Sequence, residues 1–502
     1  MDDFLLFGPE VTVLVAALIT LLMATTEVSY RMLWSVSIAL SAAVLVVTAA
    51  SMGGDGEPFF PGIYRVDRFS QLLKLGIAAG LLASLLVSAD VGSVRPRTRL
   101  ELPFFLFVSC AGMMMLVSAT ELLTFFVALE LSAYGLYILA ALNRAGREGS
   151  ETAAKYVLFG AASSAVSLYG ISLIFGVTRT TYMADIAHLA AQMSPADTPL
   201  LAVGALLFLA NLFFKLGVFP FHAWAPDTYQ GSPHQAATFI GTVSKIAAVG
   251  ILVRILSLFD PDANNNHLTG ILIGLCILSM TVGNLAAIAQ SDLKRLLGYS
   301  TVAHAGYMLI GLLAFSELGM AAAVFYALVY LPMVLCPFLV VCVLGRDGSN
   351  PTLSSMAGLH RRSPLCAALI LIGMFGLAGI PPTPGFAGKW FLFAAVLERS
   401  GFMFWLVLIA AINATISLYY YLKVVKAVYL SPAPAKSEDH GPGGGDGSKP
   451  SDEQCKDYSA IHLSPAYKVA GFLAIAMVAL CGFYPNLLWD WAVQAARAIG
   501  SG

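Results

Sequence analysis

Long apolar runs separated by short polar ones set the frame of this chain. A lipid-spanning helix needs roughly 20 consecutive, mostly apolar residues. About fourteen such runs occur, centred near residues 14, 41, 80, 110, 132, 164, 210, 247, 279, 307, 331, 380, 415 and 475. The pattern predicts an all-α polytopic membrane protein with about 14 transmembrane helices. Basic residues in the connecting loops orient the spans. Odd-numbered loops hold Arg31; Arg95, Arg97 and Arg99; Arg144 and Arg147; Lys294 and Arg295; Arg346, Arg361 and Arg362; and Lys436, Lys449 and Lys456. Even-numbered loops hold only Arg65, Arg68, Arg179 and Arg399. The odd loops are therefore expected in the cytoplasm, with both termini on the other side. Two segments fall outside the spans. Residues 183 to 194, "MADIAHLAAQMS", read either as a short surface helix or as a plain connector. Residues 433 to 457, with "GPGGGDG" and mixed charges, have the composition of a flexible solvated loop.

Composition narrows the chemistry. The 502 residues are 58% hydrophobic and 11% charged, against about 25% charged in an ordinary soluble domain. The formal net charge is -1 and no long basic block occurs, so nothing points to nucleic acid. The seven cysteines, Cys110, Cys276, Cys336, Cys342, Cys366, Cys455 and Cys481, lack C-x-x-C or ferredoxin-like spacing. No redox centre or metal site of the usual kinds is expected in this chain. No G-x-G-x-x-G or P-loop pattern marks a nucleotide site. The N-terminal Met1-Asp2-Asp3 is acidic where a signal peptide is basic, so the first span is expected to be retained.

Several charges interrupt the apolar runs. Lys74, Arg254, Lys423, Lys426 and Lys468 lie near span ends and read as snorkelling to the interface. Glu130, Lys215, Lys245 and Lys389 lie centrally and cannot easily do so. Each such group costs about 2.5 to 3.5 kcal/mol at the bilayer centre before it finds partners. A purely structural reading would pair a glutamate with a lysine, but one carboxylate cannot neutralise three lysines. Desolvated lysines are reversible proton carriers, which gives the alternative reading. Polar residues accompany them at helical spacing: Glu130, Tyr134 and Tyr137; Thr238, Thr242 and Lys245; Ser300, His304 and Tyr307; Asn413, Ser417 and Tyr420. Together the four stripes suggest a continuous hydrated path, in which His304 is either a hydrogen-bonded core residue or a relay.

Two spans are broken. Span seven ends in "FFKLGVFPFHAWAPDTYQGSP", with Lys215 just before Gly217 and Pro220. Span twelve reads "GMFGLAGIPPTPGFAGKW", with Gly379, Pro381 and Pro382 ahead of Lys389. "LGVFP" and "AGIPP" lie 162 positions and five spans apart, so the two copies run in opposite directions. This is the trace of two inverted five-helix repeats, in which unwound backbone lines an ion site at mid-membrane. Two unrelated proline kinks are the other reading. The expected division is residues 1–98, three leading helices; 99–258, helices 4–8; 268–430, helices 9–13; 431–463, a flexible loop; and 464–502, a C-terminal transmembrane helix.

"FFKLGVFPFHAWAPDTYQGSP", "SKIAAVGILVRI", "DLKRLLGYSTVAHAGYML" and "GIPPTPGFAGKW" resemble the antiporter-like membrane subunits of respiratory complex I, the N type above all. The resemblance runs from about residue 100 to 430. It implies a glutamate–lysine pair of Glu130 and Lys215, a path continued by Lys245 and His304, and a terminal carrier at Lys389. It also implies a modulating role for Lys155, which by spacing is equally a helical partner of Glu151. Lysine in "GFAGKW" separates the N type from the M type, which carries glutamate there, and the long lateral helix expected of the L type is missing. His234, in "QGSPH", takes no role from the resemblance and reads as a local polar cap. The implied function is proton translocation within a proton-pumping NADH:quinone oxidoreductase of the bacterial inner (plasma) membrane. NADH, FMN, iron–sulfur clusters and quinone would sit in partner subunits, with M-type and small K-type membrane subunits as neighbours. A subunit of a multi-subunit cation/proton antiporter or membrane-bound hydrogenase, a stand-alone solute transporter and an inert scaffold subunit are the alternatives.

Overall fold

The computed structural model describes residues 6–26, 28–53, 60, 62–92, 94–95, 98–142, 146–193, 198–258, 266–398, 403–432 and 460–500. The loop expected over 433–457 lies outside the described residues. The leading spans are α1 (Gly8–Ala24), α2 (Tyr30–Ala50) and α3 (Arg68–Val87). Then come α4 (Leu102–Ser118), α5 (Leu122–Ala141), α6 (Gly146–Thr178), the short α7 (Met183–Gln192), α8 (Thr198–Leu216), α9 (Trp224–Gly231) and α10 (His234–Leu256). The second half holds α11 (Asn266–Ile288), α12 (Leu293–Leu313), α13 (Glu317–Leu344), the single turn α14 (Leu359–Arg362), α15 (Pro364–Ala378), α16 (Pro384–Leu397) and α17 (Met403–Tyr429). The chain closes with α18 (Pro465–Phe483) and α19 (Pro485–Gly500).

Among the described residues, 12 helices are long and apolar enough to cross a membrane. With α1 and the consecutive short helices α15 and α16, counted as one broken span, they account for the fourteen expected crossings. Residues 183 to 192 form the helix that the sequence left open. Local signals start several spans: Ser29 caps α2, Asp67 and Ser70 form a capping box on α3, and the Asp292 carboxylate accepts from the Arg295 N–H at the head of α12. Helix α10 is buried along its whole length, and α12 and α13 are nearly so. Lys245 lies on α10, His304 on α12 and its partner Tyr326 on α13.

The C-terminus differs from the expectation of a single transmembrane helix over 464–502. Pro485 ends the apolar α18, since the residue before a proline is pushed out of helical geometry. Helix α19 is amphipathic. Its Ala492, Ala495 and Ala496 are buried, while Trp489 stacks on Phe391 at 4.1 Å and Arg497 pairs with Glu317 at 2.5 Å.

Small residues set the helix crossings. A Cβ on Gly170 of α6 would lie 2.3 Å from the Phe208 nitrogen and 2.6 Å from the Gly204 carbonyl oxygen of α8. Gly170→Leu should therefore force α6 off α8, at an overpacking cost of about 1–3 kcal/mol. A lowered melting temperature of the purified protein checks this, and an unchanged one contradicts it.

Candidate functional site

The two helix breaks share one local construction. At the end of α8 the Gly217 N–H donates to the Phe214 oxygen, and the Val218 N–H to the Phe213 oxygen. At the end of α15 the Gly379 N–H donates to the Gly376 oxygen, and the Ile380 N–H to the Phe375 oxygen. Gly217 and Gly379 both adopt positive φ, 85° and 81°. This is the Schellman termination, for which glycine is the least strained residue. It satisfies two of the four carbonyls left over at a helix end and leaves the last two free. A cis X-Pro bond follows at each break, Phe219–Pro220 and Pro381–Pro382.

The free carbonyls are taken by lysines. Lys245, from the middle of α10, donates to the oxygens of Lys215 and Leu216 at 3.0 and 2.8 Å. Lys389, from α16, donates to the oxygens of Leu377 and Ala378 at 3.1 and 2.9 Å. The four carbonyls correspond pairwise at the 162-residue offset, although the two lysines come from elements that do not. Each ammonium sits where the helix dipole presents its negative end and faces an aromatic ring. Lys245 lies 5.3 Å from the Trp224 ring centre, and Lys389 lies 5.0 Å from that of Tyr307.

Lys215 and Glu130 are close in the fold but are not bonded to each other. The Lys215 ammonium donates to the Ser132 hydroxyl at 2.5 Å. The Glu130 carboxylate accepts from the Ser164 hydroxyl at 2.5 Å and from the Asn211 amide at 3.1 Å. Asn211 stands one turn before Lys215 on α8, so its amide marks the carboxylate end of the same helix face. Ser132, Ser164 and Asn211 escaped the sequence reading because neutral polar residues in apolar spans are common. Tyr137 is buried as its stripe implied, whereas Tyr134 is 60% exposed and faces outward.

Lys155 pairs with Glu151 at 3.0 Å and with Asp227 of α9 at 3.4 Å. It thereby ties α6 to the second half of broken span seven. Asp227 also accepts from Arg295 of α12 at 2.8 Å. Gly298 of α12 lets α9 approach closely, since a Cβ there would lie 2.7 Å from Pro226 Cα.

His304 is at the centre of an aromatic hydroxyl cluster. Its Nδ1 lies 2.8 Å from the Tyr326 hydroxyl and its Nε2 3.0 Å from that of Tyr421. The Tyr421 hydroxyl also meets Ser300 at 2.6 Å, and that of Tyr330 meets Thr301 at 2.9 Å. Because each hydroxyl can donate or accept, both neutral tautomers of His304 are satisfied without moving the ring. Tyr307 ends the cluster beside Lys389. The Asn413 and Tyr420 stripe of α17 bonds to Asn284 of α11, a further residue that sequence reasoning missed.

Two basic residues contradict the snorkelling reading. Lys74 is fully buried and bonds Glu10 of α1 at 2.5 Å. Arg254 is also buried and grips both Asp67 oxygens at 3.0 Å. Both point inward because acidic partners from other helices await them, whereas snorkelling is the outcome for a cation that has none.

The family model described as "NADH:quinone oxidoreductase/Mrp antiporter, TM" matches residues 119–417. NADH-quinone oxidoreductase subunit N 2 of Syntrophobacter fumaroxidans is 42% identical over 99% of this chain and 100% of its own length. Among solved structures, a chain of respiratory complex I from Thermus thermophilus with bound aureothin superposes with a TM-score of 0.78 at 30% identity, covering 96% of this chain and 98% of that one. A chain of the Mrp complex from Dietzia sp. DQ12-45-1b has a TM-score of 0.83 at 22% identity, covering 99% of this chain and 97% of that one, and shares the fold.

Proposed function

As the chain belongs to the NADH:quinone oxidoreductase/Mrp antiporter family, we propose that it is an N-type, proton-translocating membrane subunit of a proton-pumping NADH:quinone oxidoreductase. The observation that carries this reading is the buried line of Lys215, Lys245, His304 and Lys389, anchored on two like-built helix breaks. Electron transfer from NADH through FMN and iron–sulfur clusters to quinone occurs in partner subunits, and M-type and small K-type membrane subunits are the neighbours of this chain. The complex sits in the bacterial inner membrane with both termini of this chain on the non-cytoplasmic side. The two antiporter-like units are residues 99–258 and 268–430, related by inversion.

The relay works through charge. A carboxylate at 4 Å stabilises an ammonium by about 4 kcal/mol at an effective dielectric of 20. When Glu130 leaves Ser164 and Asn211 and approaches Lys215, the lysine holds its proton. When they part, as in the present arrangement, the proton moves by way of water, Lys245 and His304 towards Lys389. The buried Tyr229 and Tyr307 hydroxyls make no protein hydrogen bond of good geometry and are the kind of group an ordered water satisfies. Lys155, half-buried and held by Glu151 and Asp227, modulates this from the edge.

Proton uptake by vesicles reconstituted with the whole enzyme tests the relay. Lys215→Ala and Glu130→Ala should each lose most pumping, whereas wild-type pumping by both would sink it. Partners bearing flavin and iron–sulfur centres should co-purify with the chain. A purely membrane partner set would favour a multi-subunit cation/proton antiporter instead.

A further inference from the structure

Lys294 was counted in the sequence as a loop residue and His234 as a local cap, yet both are buried. The Lys294 side chain is 0% exposed. Its ammonium contacts the carbonyls of Gln230 and Ser232 at 2.9 and 2.7 Å, Asn350 Oδ1 at 3.1 Å and His234 Nδ1 at 3.2 Å. All four partners are neutral. Since an ammonium has no acceptor, His234 Nδ1 must offer its lone pair, which places the ring hydrogen on Nε2. That hydrogen is donated to the Gly345 oxygen at 2.9 Å. A second proton on the ring would put two cations 3.2 Å apart, so the pair holds one charge between two nitrogens.

The pair sits between solvent and the buried line. On the outer side, Gln230 and Asn350 are partly exposed, and Asp292, Arg295 and Asp227 surround them. The loop carboxylate beyond Gly345, Asp347, is held below the usual range by the hydroxyl and N–H of Ser349. On the inner side, His234 and Lys245 stand eleven residues apart on α10. This is three turns and about 16 Å, which puts them on one face. Thr238 and Thr242 fall between them, each hydroxyl donating to a carbonyl one turn back, with the Cys342 thiol 3.8 Å from the Thr238 hydroxyl. Gly241 on the same stretch leaves room for the Tyr229 ring, as a Cβ there would be 3.3 Å from it.

We propose that Lys294 and His234 form a proton-loading dyad that feeds the relay from the face opposite the chain termini. The idea rests on the proton-translocating reading given above. In the transfer, one Nζ–H bond of Lys294 breaks and an Nδ1–H bond forms on His234, leaving the lone pair on Nζ. The imidazolium then breaks its Nδ1–H bond and releases that proton to water along the Thr238–Thr242 stripe, which carries it to Lys245. Only after this does solvent at the Gln230 and Asn350 side return a proton to Nζ, so the pair never holds two charges. Lys294 is at the same time a cap for α9, because it occupies carbonyls at the end of that helix.

Two variants separate loading from capping in the intact, reconstituted enzyme. His234→Gln keeps a donor for Gly345 and an acceptor for Lys294 but takes up no proton. Lys294→Arg keeps the charge and the donors but never gives a proton up. Loading predicts that each lowers the initial pumping rate by about tenfold or more, with normal co-purification of partners. Capping alone predicts wild-type pumping from both, and that result overturns the dyad. If one variant fails to assemble, the other decides. Lys215→Ala in the same preparation keeps the two ideas apart: its loss beside an unaffected His234→Gln removes the dyad and leaves the relay, whereas wild-type pumping by Lys215→Ala removes the relay itself.

Discussion

Enzyme carrying Lys389→Arg is expected to assemble normally and to pump protons at least about tenfold more slowly than wild type. The guanidinium can still donate to the carbonyls of Leu377 and Ala378, which α15 leaves free after its Schellman turn, and can still stack on Tyr307. What it cannot do is release its proton. Lys389→Met, by contrast, leaves two buried carbonyls without a donor, at a cost of about 1–3 kcal/mol each, so that variant should lose stability as well as pumping. The comparison of pumping rate with melting temperature across the two variants is therefore the informative measurement. Lys389→Arg with wild-type pumping would mean that the residue serves only as a helix cap.

Why the break and its lysine were readable in advance has a local explanation. A Schellman glycine, a following proline and a long apolar run are all encoded within a few positions, so "LGVFP" and "AGIPP" announce themselves. Spans are likewise local, and their hydropathy gave the crossings almost completely. Partners contributed by distant segments are a different matter. Glu10 lies near the acidic start of the chain and Lys74 beyond a second span, and no periodicity links them. The same holds for Asp67 with Arg254 and for His234 with Lys294. Charge counting placed Lys294 in a loop because it follows the polar "QSD". In the fold, that start of α12 is tucked beneath the end of α9. The carboxylate of Glu130, expected against Lys215, is instead held by Ser164 and Asn211, two residues that carry no charge for a sequence reading to notice.

Removing either member of the Glu10–Lys74 pair should be more damaging than removing both. The two groups meet at 2.5 Å in a site where Lys74 is 0% and Glu10 6% exposed. The Tyr64 hydroxyl donates to the same carboxylate oxygen at 2.5 Å. Glu10→Gln leaves a buried ammonium without a counter-charge, and Lys74→Met leaves a buried carboxylate with only the Tyr64 hydroxyl. Breaking a buried pair from one side costs about 3–5 kcal/mol, whereas replacing the whole pair by neutral groups of similar volume is often close to neutral. The double variant Glu10→Gln with Lys74→Met should accordingly melt well above either single variant and near the wild type. The coupling comes from the double-mutant cycle. Single variants that melt like the wild type would mean that both groups reach the interface after all, as the position of Lys74 near its span end first suggested. Since α1 and α3 belong to the three leading helices, outside the two proposed antiporter-like units, the double variant should also pump normally. Lost pumping in a stable double variant would instead place this buried pair within the proton path.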